Sequence, residues 1–286
     1  MSTPLILRDP ASARRWTLEH QASARRVALV PTMGALHRGH LALVDVARSH
    51  ADHVIVSIFV NPTQFNRAED FDSYPRVIDD DLAICAEHGV DAVYLPAAEA
   101  MYPSGFDTRI EPGSIASRWE GEHRAGHFSG VATVVIKLLN ACAPDVAVFG
   151  AKDLQQLTVI RRTVTDLDLG VDIVAGDTIR ESDGLAMSSR NRRLDSVARQ
   201  RALAIHRGLL AAVACANAGH GPDAIERAAR DLIDPAADDV EYVAVVDSAT
   251  FERSPTMIDG CDYSVIVAAW FGGVRLIDNM ALPRSA

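Results

Sequence analysis

The chain has 286 residues, of which 48% are hydrophobic and 23% are charged, a composition typical of a folded globular protein large enough for two domains. Its 38 acidic residues outnumber the 28 lysines and arginines, and the net charge of -10 excludes a generally basic surface for nucleic acid. The sequence has no signal-peptide pattern, no apolar run of about 18 residues, and only four widely spaced cysteines. We therefore expect a cytoplasmic protein with reduced thiols and no membrane segment.

The first part of the sequence alternates short apolar, β-branched segments with amphipathic ones. The apolar segments lack the polar alternation of a half-exposed strand, which predicts strands that are buried on both faces of a parallel sheet. We therefore predict an α/β fold with a doubly wound parallel sheet over residues 1–178. The predicted strands are Val27–Val30, Val54–Val60, Ala92–Leu95, Val146–Phe149 and Val171–Val174, and the predicted helices are Leu41–His50, Asp72–His88, one from about Gly130, and Leu154–Leu167.

The alternation stops near Ile179, where a polar loop precedes an Ala- and Arg-rich segment with helical spacing. We predict helices over Ser196–Asn217 and Pro222–Ile233, followed by antiparallel strands within residues 240–247, 263–270 and 274–279, with a tight turn at Gly272-Gly273. This pattern indicates a smaller α+β domain over residues 179–286.

The segment Pro31–His40, PTMGALHRGH, lies between a predicted strand and a predicted helix. Parallel sheets bind ligands at the carboxyl ends of their strands, and a helix start offers backbone N–H groups to phosphate. His37 and His40 are three residues apart and share one face of the first helical turn, where an imidazole can donate to phosphate or transfer a proton. Two structural histidines, or a zinc site that still needs a third ligand, are the alternatives.

Two further segments carry groups suited to phosphate. Lys152 follows a predicted strand and places a positive charge there, while Asp153 is suited to cap the next helix. Ser188, Ser189 and Arg190 lie in the polar loop between the predicted domains and would suit a triphosphate whose charge shifts onto pyrophosphate. A capped helix with a solvated lysine, and a surface loop before a helix capped by Asp195 or Ser196, are the alternative interpretations.

Several other polar residues are weaker candidates. Gln64 and Gln156 can offer both donors and acceptors to an uncharged, hydroxylated part of a substrate. The acidic run Asp79-Asp80-Asp81 either stabilises a helix start or contributes a Mg²⁺ ligand. Arg124 and His127 either line the same site or cap and pack against the helix that follows them.

Taken together, these motifs resemble the pantoate–β-alanine ligases, also called pantothenate synthetases. The resemblance implies a Rossmann-like nucleotidyltransferase domain of the HxGH type, a smaller C-terminal lid domain, and a homodimer. The motifs are PTMGALHRGH, VSIFVNPTQF, YPR, RAGHFSGV, TVVIKLLN, FGAKDLQQL, DGLAMSSRN and the closing AAWFGGVRLIDN.

The resemblance also implies site residues. His40 is the main catalytic residue, assisted by His37 and Lys152, while Gln64 contacts pantoate and β-alanine and Gln156 contacts pantoate. The sequence departs from the family at Ala151, usually glutamate, and at Leu154, usually aromatic. The implied ATP-binding residues are Met33, Gly34, Ala35, Leu36, His37, Arg38, Gly39, His40, Gly150, Ala151, Lys152, Asp153, the backbone of Ile179, Met187, Ser188, Ser189 and Arg190.

The implied reaction uses ATP as co-substrate, with Mg²⁺, and has two steps. The pantoate carboxylate attacks the α-phosphorus and releases pyrophosphate, and the amine of β-alanine then displaces AMP from the adenylate. Positioning and charge stabilisation dominate such chemistry, so no covalent nucleophile is required. A nucleotidyltransferase that stops after nucleotide transfer to a phosphate, and a nucleotide-binding regulatory module without turnover, are the rival hypotheses. Neither nucleic acid nor a membrane is an expected partner.

Overall fold

The computed structural model describes residues 3–66 and 68–283. The chain forms two compact units. The first comprises the chain up to Ala151 together with Val159–Asp177, and the second comprises Lys152–Thr158 and the chain from Thr178 onward. The backbone therefore passes from one unit to the other at 151–152, at 158–159 and at 177–178.

The first unit is built on a six-stranded sheet in which every neighbouring pair of strands is parallel. Its strands are β1 (Leu5–Leu7), β2 (Val27–Thr32), β3 (His53–Ile58), β4 (Ala92–Tyr94), β5 (Val146–Gly150) and β6 (Asp172–Gly176). The helices are α1 (Pro10–Gln21), α2 (Arg38–His50), α3 (Ala68–Asp72), α4 (Ile78–Glu87), α5 (Ala98–Met101), α6 (Glu120–His123), α7 (His127–Cys142) and α8 (Leu154–Asp166), whose first turn belongs to the second unit.

The central strands are buried on both faces, as their continuous apolar sequences predict. Ala28 and Val30 of β2 pack in one cluster with Leu43 and Val44 of α2. Leu29, between them, points to the opposite face and is fully buried, and α1 and α7 contact β2. The prediction of a doubly wound parallel sheet is confirmed.

Several predicted boundaries in this unit differ from the structure. Helix α2 begins at Arg38, three residues before the predicted start, and β2 and β6 each end two residues after the predicted end. Strand β3 ends at Ile58, two residues before the predicted end. The single helix predicted over Asp72–His88 is two helices, because residues 73–77 are not helical and Pro75 lies among them. Helix α7 begins at His127, three residues before the predicted start.

The second unit packs two helices on one three-stranded antiparallel sheet. Asp195 caps its longer helix by accepting a hydrogen bond from Ala198 N at 2.7 Å, and the predicted bounds of both helices and the smaller α+β fold are confirmed. Gly272 and Gly273 have φ of +56° and +74° and make the tight turn between the last two strands. The elements are α9 (Ser196–Asn217), α10 (Pro222–Ile233), β7 (Asp239–Asp247), β8 (Tyr263–Phe271) and β9 (Val274–Ala281).

Buried aliphatic and aromatic side chains from both layers form the core of the second unit, among them Leu209 of α9, Ile225 of α10 and Phe271 of β8. Within residues 3–66 and 68–283, no helix combines the length and apolar character that crossing a membrane requires.

Candidate functional site

The strand order identifies where this sheet binds ligands. Its order is β1-β4-β3-β2-β5-β6, so the direction of winding reverses between β2 and β5. Open parallel sheets bind ligands in the crevice that forms outside the carboxyl ends of the strands at such a reversal. The chain leaves β2 into the segment that contains His37 and leaves β5 at Gly150, and the two strands are adjacent. The fold therefore brings two of the predicted motifs to the same edge of the sheet.

The two histidines are fixed by the start of α2. His37 is the N-cap residue, and its Nδ1 accepts a hydrogen bond from Gly39 N at 3.1 Å. His40 Nδ1 accepts from His37 N at 3.3 Å, which completes a capping box, and the two ring centroids lie 4.1 Å apart. Because both Nδ1 atoms accept hydrogen bonds, the neutral rings carry their protons on Nε2. Each Nε2–H is thus a donor suited to an oxyanion.

The N–H groups of the segment before His37 are bound within the protein. Gly34 N donates to Thr32 Oγ1 at 3.1 Å, and Ala35 N and Leu36 N donate to the Asp81 carboxylate at 2.9 and 2.7 Å. The protein itself therefore uses these N–H groups. The Nε2–H groups of the two imidazole rings remain the side-chain donors at this helix start.

Gln64 lies next to the loop that follows β2. Its Nε2 is 3.2 Å from the sulfur of Met33, and its Oε1 accepts a hydrogen bond from Asn61 Nδ2 at 3.0 Å. The His127 ring Nδ1 contacts the carbonyl oxygen of Gln64 at 2.9 Å, and its Nε2 lies 3.1 Å from Arg124. His127 is buried. His127 and Arg124 therefore hold the Gln64 backbone, and the first unit brings Gln64 together with the predicted ATP-binding loop.

In the second unit, Lys152, Ser188 and Arg190 line one cavity, together with Asp278. Lys152 Nζ lies 3.3 Å from Asp153 Oδ1, and the lysine carbonyl accepts from Asn279 Nδ2 at 2.8 Å. The cationic and hydroxyl groups predicted from separate parts of the sequence thus meet within one unit.

The loop that contains Ser188 is held from both ends. Met187 N donates to the carbonyl oxygen of Ile179 at 2.9 Å, so these two predicted residues lie side by side. Arg180 forms a bidentate ion pair with Asp278, with N–O distances of 2.6 and 3.1 Å, and only 2% of the Asp278 side chain is exposed. Further along, Asn191 Nδ2 donates to Glu181 at 2.7 Å. These contacts hold the residues on either side of Ser188, Ser189 and Arg190.

The remaining candidates divide by burial. Gln156 is half-buried in the first turn of α8. Asp79 and Asp80 are exposed, whereas Asp81 is buried against the loop after β2. In the described part of the chain, no group of three His, Cys, Asp or Glu side chains could hold a metal ion, so a zinc site at the histidines receives no support.

Comparison with known proteins places this chain in a family. A profile of the family Pantoate-beta-alanine ligase matches residues 5–281. A pantothenate synthetase of Acidothermus cellulolyticus is 52% identical over 91% of this chain and 86% of its own length, and one of Chlorobium luteolum is 46% identical over 96% and 98%. The chain belongs to the pantoate–β-alanine ligase family.

Solved structures of the family agree in fold. The pantothenate synthetase of Thermus thermophilus is 41% identical and superposes with a TM-score of 0.91, covering 98% of this chain and 100% of its own. The pantoate-beta-alanine ligase of Francisella tularensis, complexed with beta-gamma ATP and beta-alanine, is 33% identical with a TM-score of 0.80, covering 97% of each chain.

In each unit, residues that hold the predicted site residues were not singled out from the sequence. Asn61 is 1% exposed and, besides orienting Gln64, accepts a hydrogen bond from the Tyr102 hydroxyl at 2.7 Å. Its position after β3 could have revealed it, since Gln64 follows the same strand. Asp278 and Asn279 lie in the closing LIDN segment, for which no local pattern indicated a contact with residues about 100 positions earlier.

Proposed function

We propose that this chain joins pantoate to β-alanine in a reaction driven by ATP, releasing pyrophosphate and AMP, through an enzyme-bound pantoyl adenylate. Membership of the ligase family supports the overall reaction, and a relative crystallised with beta-gamma ATP and beta-alanine supports the choice of co-substrates. The structural observation that carries the proposal is the pair of imidazoles at the β2–β5 reversal, with both Nε2 atoms as donors.

In the first step, a pantoate carboxylate oxygen forms a bond to the α-phosphorus of ATP, and the bond from that phosphorus to the bridging oxygen of pyrophosphate breaks. Negative charge grows on the phosphate oxygens. Donors that are already oriented stabilise such charge without reorganising during the reaction. We assign this role to the Nε2–H groups of His40 and His37, because the capping box holds both rings before any ligand arrives.

We assign the departing pyrophosphate to the cationic loop residues Lys152 and Arg190, assisted by the Ser188 and Ser189 hydroxyls. Arg190 provides a planar fork of donors and Lys152 a compact charge, and both types of group suit phosphate. The remaining members of the proposed ATP-binding set are Met33 to Gly39, Gly150, Ala151, Asp153, the backbone of Ile179, and Met187.

In the second step, the β-alanine amine forms a bond to the acyl carbon of the adenylate, and the bond from that carbon to the AMP oxygen breaks. We assign Gln64 to pantoate and β-alanine and Gln156 to pantoate, since amides pair with hydroxyl and carboxylate groups. Cys85 and Cys142 are buried, which supports a reaction without an acyl-enzyme.

The described residues contain no group of three His, Cys, Asp or Glu side chains that could hold a magnesium ion. Mg²⁺ is commonly held by one or two carboxylates together with substrate phosphates, and it would shield the triphosphate charge when bound with ATP. Asp79 and Asp80 are the exposed carboxylates that remain as candidate ligands, and no step above depends on them. The homodimer and the cytoplasmic location implied by the resemblance stay predictions.

The deciding experiment incubates the protein with ATP, Mg²⁺, pantoate and β-alanine and measures AMP and pantothenate. We expect both products, and we expect labelled pyrophosphate to exchange into ATP when pantoate is present and β-alanine is absent. Exchange that requires β-alanine would replace the adenylate with a concerted reaction. Pyrophosphate release without AMP, independent of the amine, would favour a nucleotidyltransferase that stops after nucleotide transfer. Binding without turnover would favour a regulatory module.

A histidine substitution tests the role of the imidazoles. We expect His40→Ala to lower the exchange rate by about 10²–10³-fold, with ATP affinity nearly retained, because the lost donor acts on charge that develops in the transition state. His50→Ala removes an exposed histidine from the same helix and serves as the control. Equal losses of ATP affinity and exchange rate in His40→Ala would instead indicate uniform binding.

A further inference from the structure

Asp81 differs from the two acidic residues that precede it. All three lie in the first turn of α4, but Asp79 and Asp80 are exposed, whereas Asp81 is 1% exposed. A buried carboxylate is costly unless hydrogen bonds compensate its charge. Asp81 Oδ2 accepts from Ala35 N at 2.9 Å and Oδ1 accepts from Leu36 N at 2.7 Å. Each oxygen thus holds one N–H group of a loop that is distant in sequence.

The loop that Asp81 holds has an unusual backbone. Gly34 and Ala35 have φ of +81° and +50°, in the left-handed region that residues with a side chain rarely adopt. A Cβ at Gly34 would lie 2.8 Å from Asp81 Oδ2, so the carboxylate occupies the space that the glycine leaves open. Ala35 keeps its positive φ while it is buried and held by Asp81. A conformation of this kind persists only where surrounding contacts determine it.

The loop leads directly to the catalytic imidazoles. Leu36, whose N–H group is held by Asp81, is adjacent to His37, and His37 is both the N-cap of α2 and the partner of His40. A shift of the Leu36 backbone therefore moves the N-cap and, through the capping box, both rings.

We propose that Asp81 is a positioning residue that sets the orientation of His37 and His40 through the N–H groups of Ala35 and Leu36. The proposal rests on the proposed function for the part that concerns catalysis, but the orientation of the rings is a property of the free protein. Both oxygens of Asp81 accept backbone hydrogen bonds. For Asp81 we therefore propose this positioning role instead of the two roles considered for the acidic run, stabilisation of the helix start and Mg²⁺ ligation.

The first test measures the protonated ring nitrogen of His37 and of His40 in the absence of substrate. In Asp81→Asn, one oxygen is replaced by an NH₂ group that cannot accept from a backbone N–H. We expect ¹H–¹⁵N spectra of the imidazoles to show His37 and His40 with protons on Nε2 in the parent protein and to show shifted resonances in the variant. Glu87→Gln makes the same chemical change at an exposed position of α4 and should leave both rings unchanged.

The second test is a double-mutant cycle on pantoate-dependent ATP–pyrophosphate exchange. We expect Asp81→Asn to lower the exchange rate at saturating substrate by about 10- to 100-fold, because displacing a reacting group by about 1 Å costs of that order. In a His40→Ala background the same change should have a smaller effect, since only the His37 ring then remains to be displaced. A purely structural aspartate would lower stability and reduce the rate by the same factor in both backgrounds.

A second variant distinguishes loss of the carboxylate from misfolding. Asp81→Ala leaves space for formate, which supplies two carboxylate oxygens, and we expect added formate to restore part of its exchange activity but none of that of His40→Ala. Unchanged ring spectra in Asp81→Asn, equal rate factors in the two backgrounds, or variants that do not fold even with formate would each overturn the proposal. If the parent protein shows no exchange, the proposed function fails, and the ring spectra still decide the positioning role.

Discussion

The cost of a side chain at Gly34 can be worked out from a matched pair of glycines. Gly34 and Gly105 have nearly equal φ, +81° and +83°, but a Cβ at Gly105 would have no neighbour within 4 Å, whereas one at Gly34 would meet Asp81 Oδ2 at 2.8 Å and Ile58 Cγ2 at 3.1 Å. Gly105→Ala therefore loses only the energy of a left-handed backbone, about 1–2 kcal/mol. Gly34→Ala loses the same amount and also displaces the carboxylate.

The difference in unfolding free energy between the two variants measures the cost of displacing the Asp81 carboxylate. If the Asp81 carboxylate moves away from the two N–H groups it accepts from, a buried group is left unsatisfied at a cost of about 1–3 kcal/mol. We therefore expect Gly34→Ala to lose about 1–3 kcal/mol more unfolding free energy than Gly105→Ala.

Equilibrium urea unfolding, followed by circular dichroism and by tryptophan fluorescence, measures both losses. The exchange assay on the same proteins should show a reduced rate for Gly34→Ala only. Equal losses of unfolding free energy in the two variants would refute the reasoning, because they would mean that the carboxylate adjusts to the new methyl group without cost.

Three further predictions concern other parts of the chain. Asp278→Ala should lower the unfolding free energy by about 3–5 kcal/mol, because it leaves Arg180 without its bidentate partner. A double variant in which apolar residues replace both Arg180 and Asp278 should recover most of this loss, as measured by urea unfolding. Burial raises the pKa of Cys85 to about 12 and also raises the pKa of Cys142, so a thiol reagent should modify these two cysteines only after unfolding, whereas fast labelling in native buffer would contradict their burial. Burial, reinforced by the nearby Arg180, lowers the pKa of His206. Below about pH 6.5 the unfolded state therefore binds more protons than the folded state, and the unfolding free energy should fall as the pH falls. His206→Gln should abolish this contribution to the pH dependence.

The sequence predicted the elements with strong local signals. Helices α9 and α10 begin and end where expected, because Asp195 caps the first and Pro222 opens the second. The short strand β1 was not predicted, since it has three residues, the first of them exposed, and lies at the edge of the sheet beside β4. The predicted helix over Asp72–His88 failed because the helical spacing was followed through Pro75.

The candidate site could be predicted only in part. Position at a strand end selected His37, His40, Gln64 and Lys152, because parallel sheets bind ligands at the carboxyl ends of their strands. Sequence position could not distinguish Asp81 from its acidic neighbours, since the difference lies in which face of α4 meets a distant loop. The N–H groups of Gly34, Ala35 and Leu36 donate to Thr32 and Asp81, and no local sequence pattern indicated these contacts.

The three passages of the chain between its units limit how this protein can be divided or recombined. A fragment that begins at Thr178 would contain α9, α10 and the antiparallel sheet but would lack Lys152–Thr158. It would lose the carbonyl that Asn279 binds and the Thr158 hydroxyl that donates to Ser248 O at 3.3 Å. A chimera of two relatives joined near residue 178 would inherit the lysine from one parent and the Ser-Ser-Arg loop from the other. We therefore expect a functional chimera to take Lys152–Thr158 and the Ser-Ser-Arg loop from the same parent, although Val159–Asp177 separates them in sequence.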